Sequence, residues 1–475
     1  MGTRNSRRVF PLAHALVLLL LLMLPAMLLL GAAEGREGGP TLLFFVLMLL
    51  PFVLLLWLLT CCAPEEAADG PRAAAQHVPR DRVVAAEFER LVAPIVRPSR
   101  SYVAEGVPIV EGTPQLPRTE LFPELDRRLA PYRVIPLVEE VDGRSVRVVG
   151  LPRGVAERLR SRSSGAVNLL LLVATVLTTV YAGARQQGIN LLENPGQFPT
   201  GIPYALSLLS ILGVHELGHY AMARRYGVDV TLPYFIPVPM GLGTFGAFIQ
   251  MKSLIKSRRA VFDIGIAGPL AGLVVAVPLL YSGLTHAGAM PAADGPFALN
   301  TGSSLLLALL YQAAHGNVMG TAAVHLSPAA FAGWIGVFVT ALNLLPVGQL
   351  DGGHVAYGLF GRRHAQTVSL CVVLLMVGLG LFVWPGFLTW ALIVSLLAGF
   401  SHMPALDDVT PPDTKRFALG ILTLALPIVI MMPVPGALDS PTLDSPYQGR
   451  YEAFPQPASP ASLDAMHRNS RPSYR

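Results

Sequence analysis

The chain alternates long apolar runs with short charged stretches, and many of the apolar runs reach the roughly 18 residues that cross about 30 Å of hydrocarbon as helix. Two such runs, 9–31 and 42–60, come first, the earlier readable as a span or as an overlong signal peptide. After a polar interlude, further spans are expected at 166–184, 203–223, 260–282 and 329–345. The stretch 367–400 can cross twice around Pro385–Gly386, and 417–432 makes a last span. The pattern therefore predicts an all-α polytopic membrane protein with about eight to nine transmembrane helices.

Two segments break the helical pattern. Within 63–164, TELFPELDRRLA has helical periodicity, and RVIPLVEEVDGRSVRVVGL reads as two strands about an Asp142–Gly143 turn. A small α/β module of about 60 residues follows, marginal alone and expected to dock on the membrane part or a partner. The second is VDVTLPYFIPVPMGLGTFGAFIQMKS, rich in β-branched, aromatic, Pro and Gly residues and too broken to span. It predicts a membrane-associated β-hairpin. SSLLLALLYQAA, in the loop after the fifth span, is too short to cross and fits an interfacial or re-entrant helix.

Charge orients these elements. The interlude 63–164 holds sixteen Arg and no Lys, which places it on the cytoplasmic side, whereas 260–361 contains neither Lys nor Arg. The division is then an N-terminal transmembrane hairpin (1–62), a cytoplasmic linker and α/β module (63–164), a membrane domain (165–433) and a Pro- and Ser-rich tail (434–475) with too little apolar content to fold. Net charge is +5, but the basic residues collect beside apolar spans instead of forming one soluble face, so nucleic acid is not an expected partner. Cys61, Cys62 and Cys371 supply neither a disulfide framework nor a thiolate metal site. Lack of a transit pattern points to a bacterial cytoplasmic membrane.

The fourth expected span contains HELGH. His215 and His219 lie one turn apart on the same helix face and can share a metal ion, while Glu216 is rotated about 100° from His215 and can serve a water instead. A random H-E-x-x-H arises on the order of once in a hundred chains of this composition, so the motif is informative but not decisive. Ionisable groups inside a membrane are expensive, and three within two turns are hard to explain as filler. A catalytic zinc needs a third protein ligand and an open position. About 130 residues downstream, NLLPVGQLDGGH offers Asp351, beside a Pro346 break and the Gly352–Gly353 pair. His354 is the rival ligand. Asn343 suits either a substrate or oxyanion contact or an interhelical hydrogen bond.

Together these residues resemble the site-2 protease family of intramembrane metalloproteases, in which an HExxH span is paired with N-x-x-P-x-x-x-x-D-G. The match here falls on His215, Glu216, His219, Asn343, Pro346, Asp351 and Gly352. GTFGAFIQMKS, AGPLAG and HMPALDDVTP look most like the bacterial and chloroplast branch, without a PDZ-like insertion. The resemblance implies a three-helix catalytic core from the fourth, fifth and sixth spans, and one Zn2+ per chain on His215, His219 and Asp351. It also implies Glu216 and Asn343 as catalytic residues, and a strand edge at Gly243, Thr244, Phe245 and Gly246 that pairs with unwound substrate, unless that hairpin merely packs on the core. The implied activity is intramembrane zinc endopeptidase cleavage in or near transmembrane segments of membrane-anchored proteins, as in regulated intramembrane proteolysis. Two alternatives are a proteolytically silent membrane protein that binds or chaperones such segments, and a zinc protease with HExxH on a cytosolic helix and a Glu ligand downstream.

Overall fold

In the computed structural model of the chain, the residues described are 84–104, 106–153, 165–238, 240–287, 289–290, 298–316, 323–382, 386–398 and 404–432. The expectations for 1–62, for the linker 63–83 and for the tail 434–475 lie outside them.

A helix at 84–92 (α1) opens a module built on an antiparallel sheet of β1 (Val96–Ala104), β2 (Val107–Pro114), β3 (Val134–Glu140) and β4 (Val146–Pro152), in the order β1-β2-β4-β3. Helix α2 (Arg118–Leu129) buries Leu121, Leu125 and Leu129, one turn apart, against Phe88, Val92, Val138 and Val148. Gly143, at φ 78, turns the chain between β3 and β4. The sequence pattern showed α2, β3 and β4 but not α1, β1 or β2. Burial along β1 does not alternate, because Arg97, Pro98 and Arg100 sit on an edge strand with a bulge between Pro98 and Arg100.

Among the described residues, five helical stretches are long and apolar enough to cross a membrane: Gly165–Gln186, Pro195–Arg225, Arg258–His286, Asp351–Phe382 and Thr414–Met431. The first is α3 (Gly165–Gln186); the second contains α4 (Ile202–Arg225), entered through a 3-10 turn at Pro195–Gly201. Helix α4 stops in a two-bond C-terminal motif: Val228 N donates to Ala223 O at 2.9 Å and Gly227 N to Arg224 O at 3.0 Å. Gly227, at φ 70, takes the left-handed conformation this stop requires. Helix α5 (Arg258–His286) is capped by Ser257, whose Oγ accepts from Ala260 N at 3.3 Å.

After α6 (Leu305–His315), an 11-residue helix, comes α7 (Pro328–Asn343). At 16 residues α7 rises about 24 Å, short of a full crossing. It ends at Asn343 because Pro346 follows, and the chain loops through 344–350 before α8 (Asp351–Phe382). Within α8, Gly361 is not helical (φ 77, ψ 170), so 351–360 and 362–382 are separate helical segments. The second segment and α9 (Gly386–Ala398) occupy the stretch expected to cross twice, and α10 (Thr414–Met431) is the last described helix.

The most extensive helix pairings are those of α5 with α4 and with α7, and α4 also packs on α7. Small residues allow it: a Cβ on Gly336 of α7 would meet Ile211 of α4 at 2.8 Å, and one on Gly333 would meet the backbone of α5 at 2.8 Å. Between α4 and α5, β5 (Tyr234–Pro237) and β6 (Thr244–Phe248) form a two-stranded antiparallel hairpin, with Tyr234 stacked on Phe248 at 5.5 Å. It leans on α3, where Asn168 Nδ2 donates to Leu232 O and Pro233 O, each at 2.9 Å. Near α6, β7 (Ala289–Met290), β8 (Ala298–Asn300) and β9 (Ala323–His325) make a small sheet that the sequence pattern did not show, its strands being only two or three residues long.

Candidate metal centre

Helix α4 presents His215, Glu216 and His219 inward, each no more than 7% exposed. His215 Nε2 and His219 Nε2 stand 3.1 Å apart, on adjacent turns of one face. Asp351, first residue of α8, brings Oδ2 to 3.2 Å from His215 Nε2 and Oδ1 to 3.3 Å from His219 Nε2. Two nitrogens and a carboxylate in van der Waals contact match a tetrahedral zinc ion, whose ligand bonds of about 2.0–2.1 Å leave donor atoms roughly 3.3 Å apart. Among the described residues, these are the His, Cys, Asp and Glu side chains that converge at ligand spacing.

The surroundings orient these ligands. His219 Nδ1 lies 2.7 Å from Ile264 O, so Nδ1 carries the proton it donates and Nε2 is left as the electron-pair donor. Two glycines of α5 make room for the imidazoles. A Cβ on Gly268 would fall on the His219 ring, and one on Gly272 would lie 3.3 Å from His215 Cβ and Nδ1. The loop before Asp351 is equally tight: a Cβ on Gly352 or Gly353 would strike the carbonyls of Leu344 or Gly348. Ser369, fully buried, accepts from Gly348 N at 3.3 Å and sits 3.0 Å from Pro346 O, holding that loop.

Glu216 is buried beside His215 and is not part of the converging trio. Asn343 ends α7 one loop before Asp351. His354, the rival ligand, packs against Gly265 of α5 and stays out of the trio. In the hairpin, Gly243 O accepts from Thr178 Oγ1 at 2.7 Å, and Thr244 Oγ1 donates to Ile236 O at 2.8 Å. Phe245 is 63% exposed, and a Cβ on Gly246 would meet open space. Sequence reasoning missed the supporting carbonyl of Ile264 and the Ser369 hydroxyl. For Gly268 and Gly272 a signal was present, since they lie four residues apart in AGPLAG and so on one helix face.

The family model described as Peptidase family M50 matches residues 203–384, the stretch that holds all three converging ligands and Glu216. That segment is similar to peptidase family M50. Proteins similar to this chain include "Probable zinc metalloprotease EGY1, chloroplastic" of Arabidopsis thaliana, 39% identical over 238 residues, 49% of this chain and 43% of that protein. "Probable zinc metalloprotease EGY2, chloroplastic", also of Arabidopsis thaliana, is 28% identical over 316 residues, 64% of this chain and 55% of that protein. "Probable zinc metalloprotease EGY3, chloroplastic" of Oryza sativa subsp. japonica is 31% identical over 247 residues, 49% of this chain and 42% of that protein. The chain thus spans about half the length of the curated relatives it matches. Their names are chloroplastic, so the bacterial membrane expected from the sequence gains nothing from them. No solved structure matches the chain.

Proposed function

We propose that this chain is a membrane zinc endopeptidase that hydrolyses peptide bonds in or near transmembrane segments of membrane-anchored proteins. The single observation carrying this reading is that His215, His219 and Asp351, contributed by two apolar helices, converge within 4.8 Å beside a buried Glu216. Zinc, when bound, supplies Lewis acidity toward a carbonyl and acidifies water. His215, His219 and Asp351 hold it, with Ile264 O fixing the His219 tautomer. Glu216 takes a proton from the attacking water and returns it to the leaving amine nitrogen, so that water adds across the C–N bond.

The three-helix core of α4, α5 and α7, the role of Asn343 as a donor toward the substrate carbonyl, and the edge at Gly243, Thr244, Phe245 and Gly246 belong to this reading. A peptide bond in an intact helix is shielded, and strand pairing would extend it for attack. Exposure of Phe245 and open space at Gly246 support that edge. Arg224 and Arg225 end α4, which carries His215 and His219, and Lys252, Lys256, Arg258 and Arg259 lie at the entry to α5, which supports a cytoplasmic-side active centre.

Glu216→Gln tests the reading. Purified wild-type and variant protein should each carry one zinc per chain, while only the wild type cleaves single-span proteins in reconstituted membranes. Comparing membrane proteomes of cells bearing either form would identify the uncleaved substrates. Retained turnover in the variant overturns the role of Glu216, and zinc-free wild-type protein overturns the enzyme.

A further inference from the structure

Residues 404–409, within HMPALDDVTP, have no part in the chemistry above, yet they join the soluble module to the membrane body. Val138 N of β3 donates to Leu406 O at 2.8 Å, and Asp408 N donates back to Val138 O at 3.0 Å. On the other side, Leu406 N donates to Ile255 O and Asp407 N to Lys256 O, both at 2.9 Å. The strip therefore bridges β3 and the chain entering α5, with Asp407 in parallel pairing to Val138 on one side and Ser257 on the other. Val409, 1% exposed, completes the module's own hydrophobic core, and Arg362 of α8 pairs with Glu139 of β3 at 3.1 Å.

The same strip grips the helical segment that starts with Asp351. Tyr357, fully buried, donates its hydroxyl to Asp408 Oδ1 at 2.7 Å and accepts from Ala405 N at 2.8 Å. Arg258, 5% exposed, donates to Gly358 O at 3.2 Å and Leu359 O at 2.8 Å, the last carbonyls of that segment, and to Asp408 O at 3.4 Å. A ten-residue segment bounded by the 344–350 loop and by Gly361 is too short to hold its direction unaided. Its placement must come from outside. Tyr357 lies six residues from Asp351, about 9 Å along the axis, so a tilt at one end is felt at the other.

We propose that Tyr357 is a positioning residue for Asp351, and that the 84–153 module, acting through the 404–409 strip, holds the third metal ligand in place. The proposal rests on the zinc reading above, and undocking of the module becomes a means of slackening the site. Tyr357→Phe keeps the ring packing and removes only the hydroxyl. In the full-length protein it should speed zinc extraction by a chromophoric chelator on the order of 10–100-fold, the usual cost of losing a supporting partner of a ligand. Amide exchange at 352–360 in metal-free protein should quicken by a similar factor. Asp408→Asn alone, which keeps an oxygen acceptor for Tyr357, should retain near wild-type values, and Val409→Ser, which weakens only the module's core, should mimic Tyr357→Phe.

Unchanged extraction and exchange in Tyr357→Phe overturn the positioning role. Unchanged extraction in Val409→Ser, with exchange showing β3 released, overturns the module's part in it. Wild-type protein that takes up no zinc defeats the enzyme reading instead, while the exchange comparison still reports on the clamp.

Discussion

Gly268→Ala is the sharpest perturbation of the metal centre, because it leaves every ligand chemically intact. The added methyl would overlap the His219 ring, whose Nδ1 is tied to Ile264 O at 2.7 Å. Either the ring leaves its position or α4 and α5 part. Overpacking of this kind costs about 1–3 kcal/mol, which corresponds to roughly 5–150-fold in zinc affinity if all of it falls on the bound state. Gly272→Ala should cost less, since its Cβ would sit 3.3 Å from His215 Cβ and Nδ1 and a shift of a few tenths of an ångström relieves it. Gly213→Ala, on α4 with nothing within 4 Å of the new Cβ, should be neutral or slightly stabilising. Zinc content by mass spectrometry and chelator competition should therefore rank Gly268→Ala well below Gly272→Ala, and that below Gly213→Ala. Wild-type zinc affinity in Gly268→Ala would refute the claim that the trio is the metal site.

Two other outcomes are expected. Burial pushes the Asp408 carboxyl up to about 6 from 3.8, against the lowering effects of Tyr357 and Arg258. The folded protein then holds a proton that the unfolded chain has released, so stability falls as pH rises from about 4 to about 6 and levels off above, by at most about 3 kcal/mol. Thermal unfolding across that range should show the slope in the wild type and lose it in Asp408→Asn; an unchanged slope in the variant assigns it to other groups. Gly361→Ala must take φ 77 with a side chain, and its Cβ would lie 3.4 Å from Arg258 Nη1. A loss of about 1–3 kcal/mol is expected, seen as a lower melting temperature, and Gly361→Asn should lose as much, because at ψ 170 the backbone lies outside the left-handed helical region that Asn tolerates.

What the sequence determined alone is local or compositional. The spacing of His215 and His219 puts them on one helix face wherever that helix lies, and the cost of charge in hydrocarbon singles out Glu216 and Asp351 before any contact is known. Apolar run lengths define most spans, and α2, β3 and β4 follow from their periodicity. The tertiary structure decided what depends on segments far apart in the chain. It brings Asp351 to within 3.3 Å of both imidazoles, keeps His354 out, and fits Gly268 under the His219 ring. It also lays 404–409 between β3 and the start of α5. No pattern in residues 404–409 names Val138 or Ile255 as partners, because backbone hydrogen bonds carry no side-chain signature and any extended segment can make them. For the same reason β1, an edge strand with polar residues on both faces, showed itself only once β2 lay beside it.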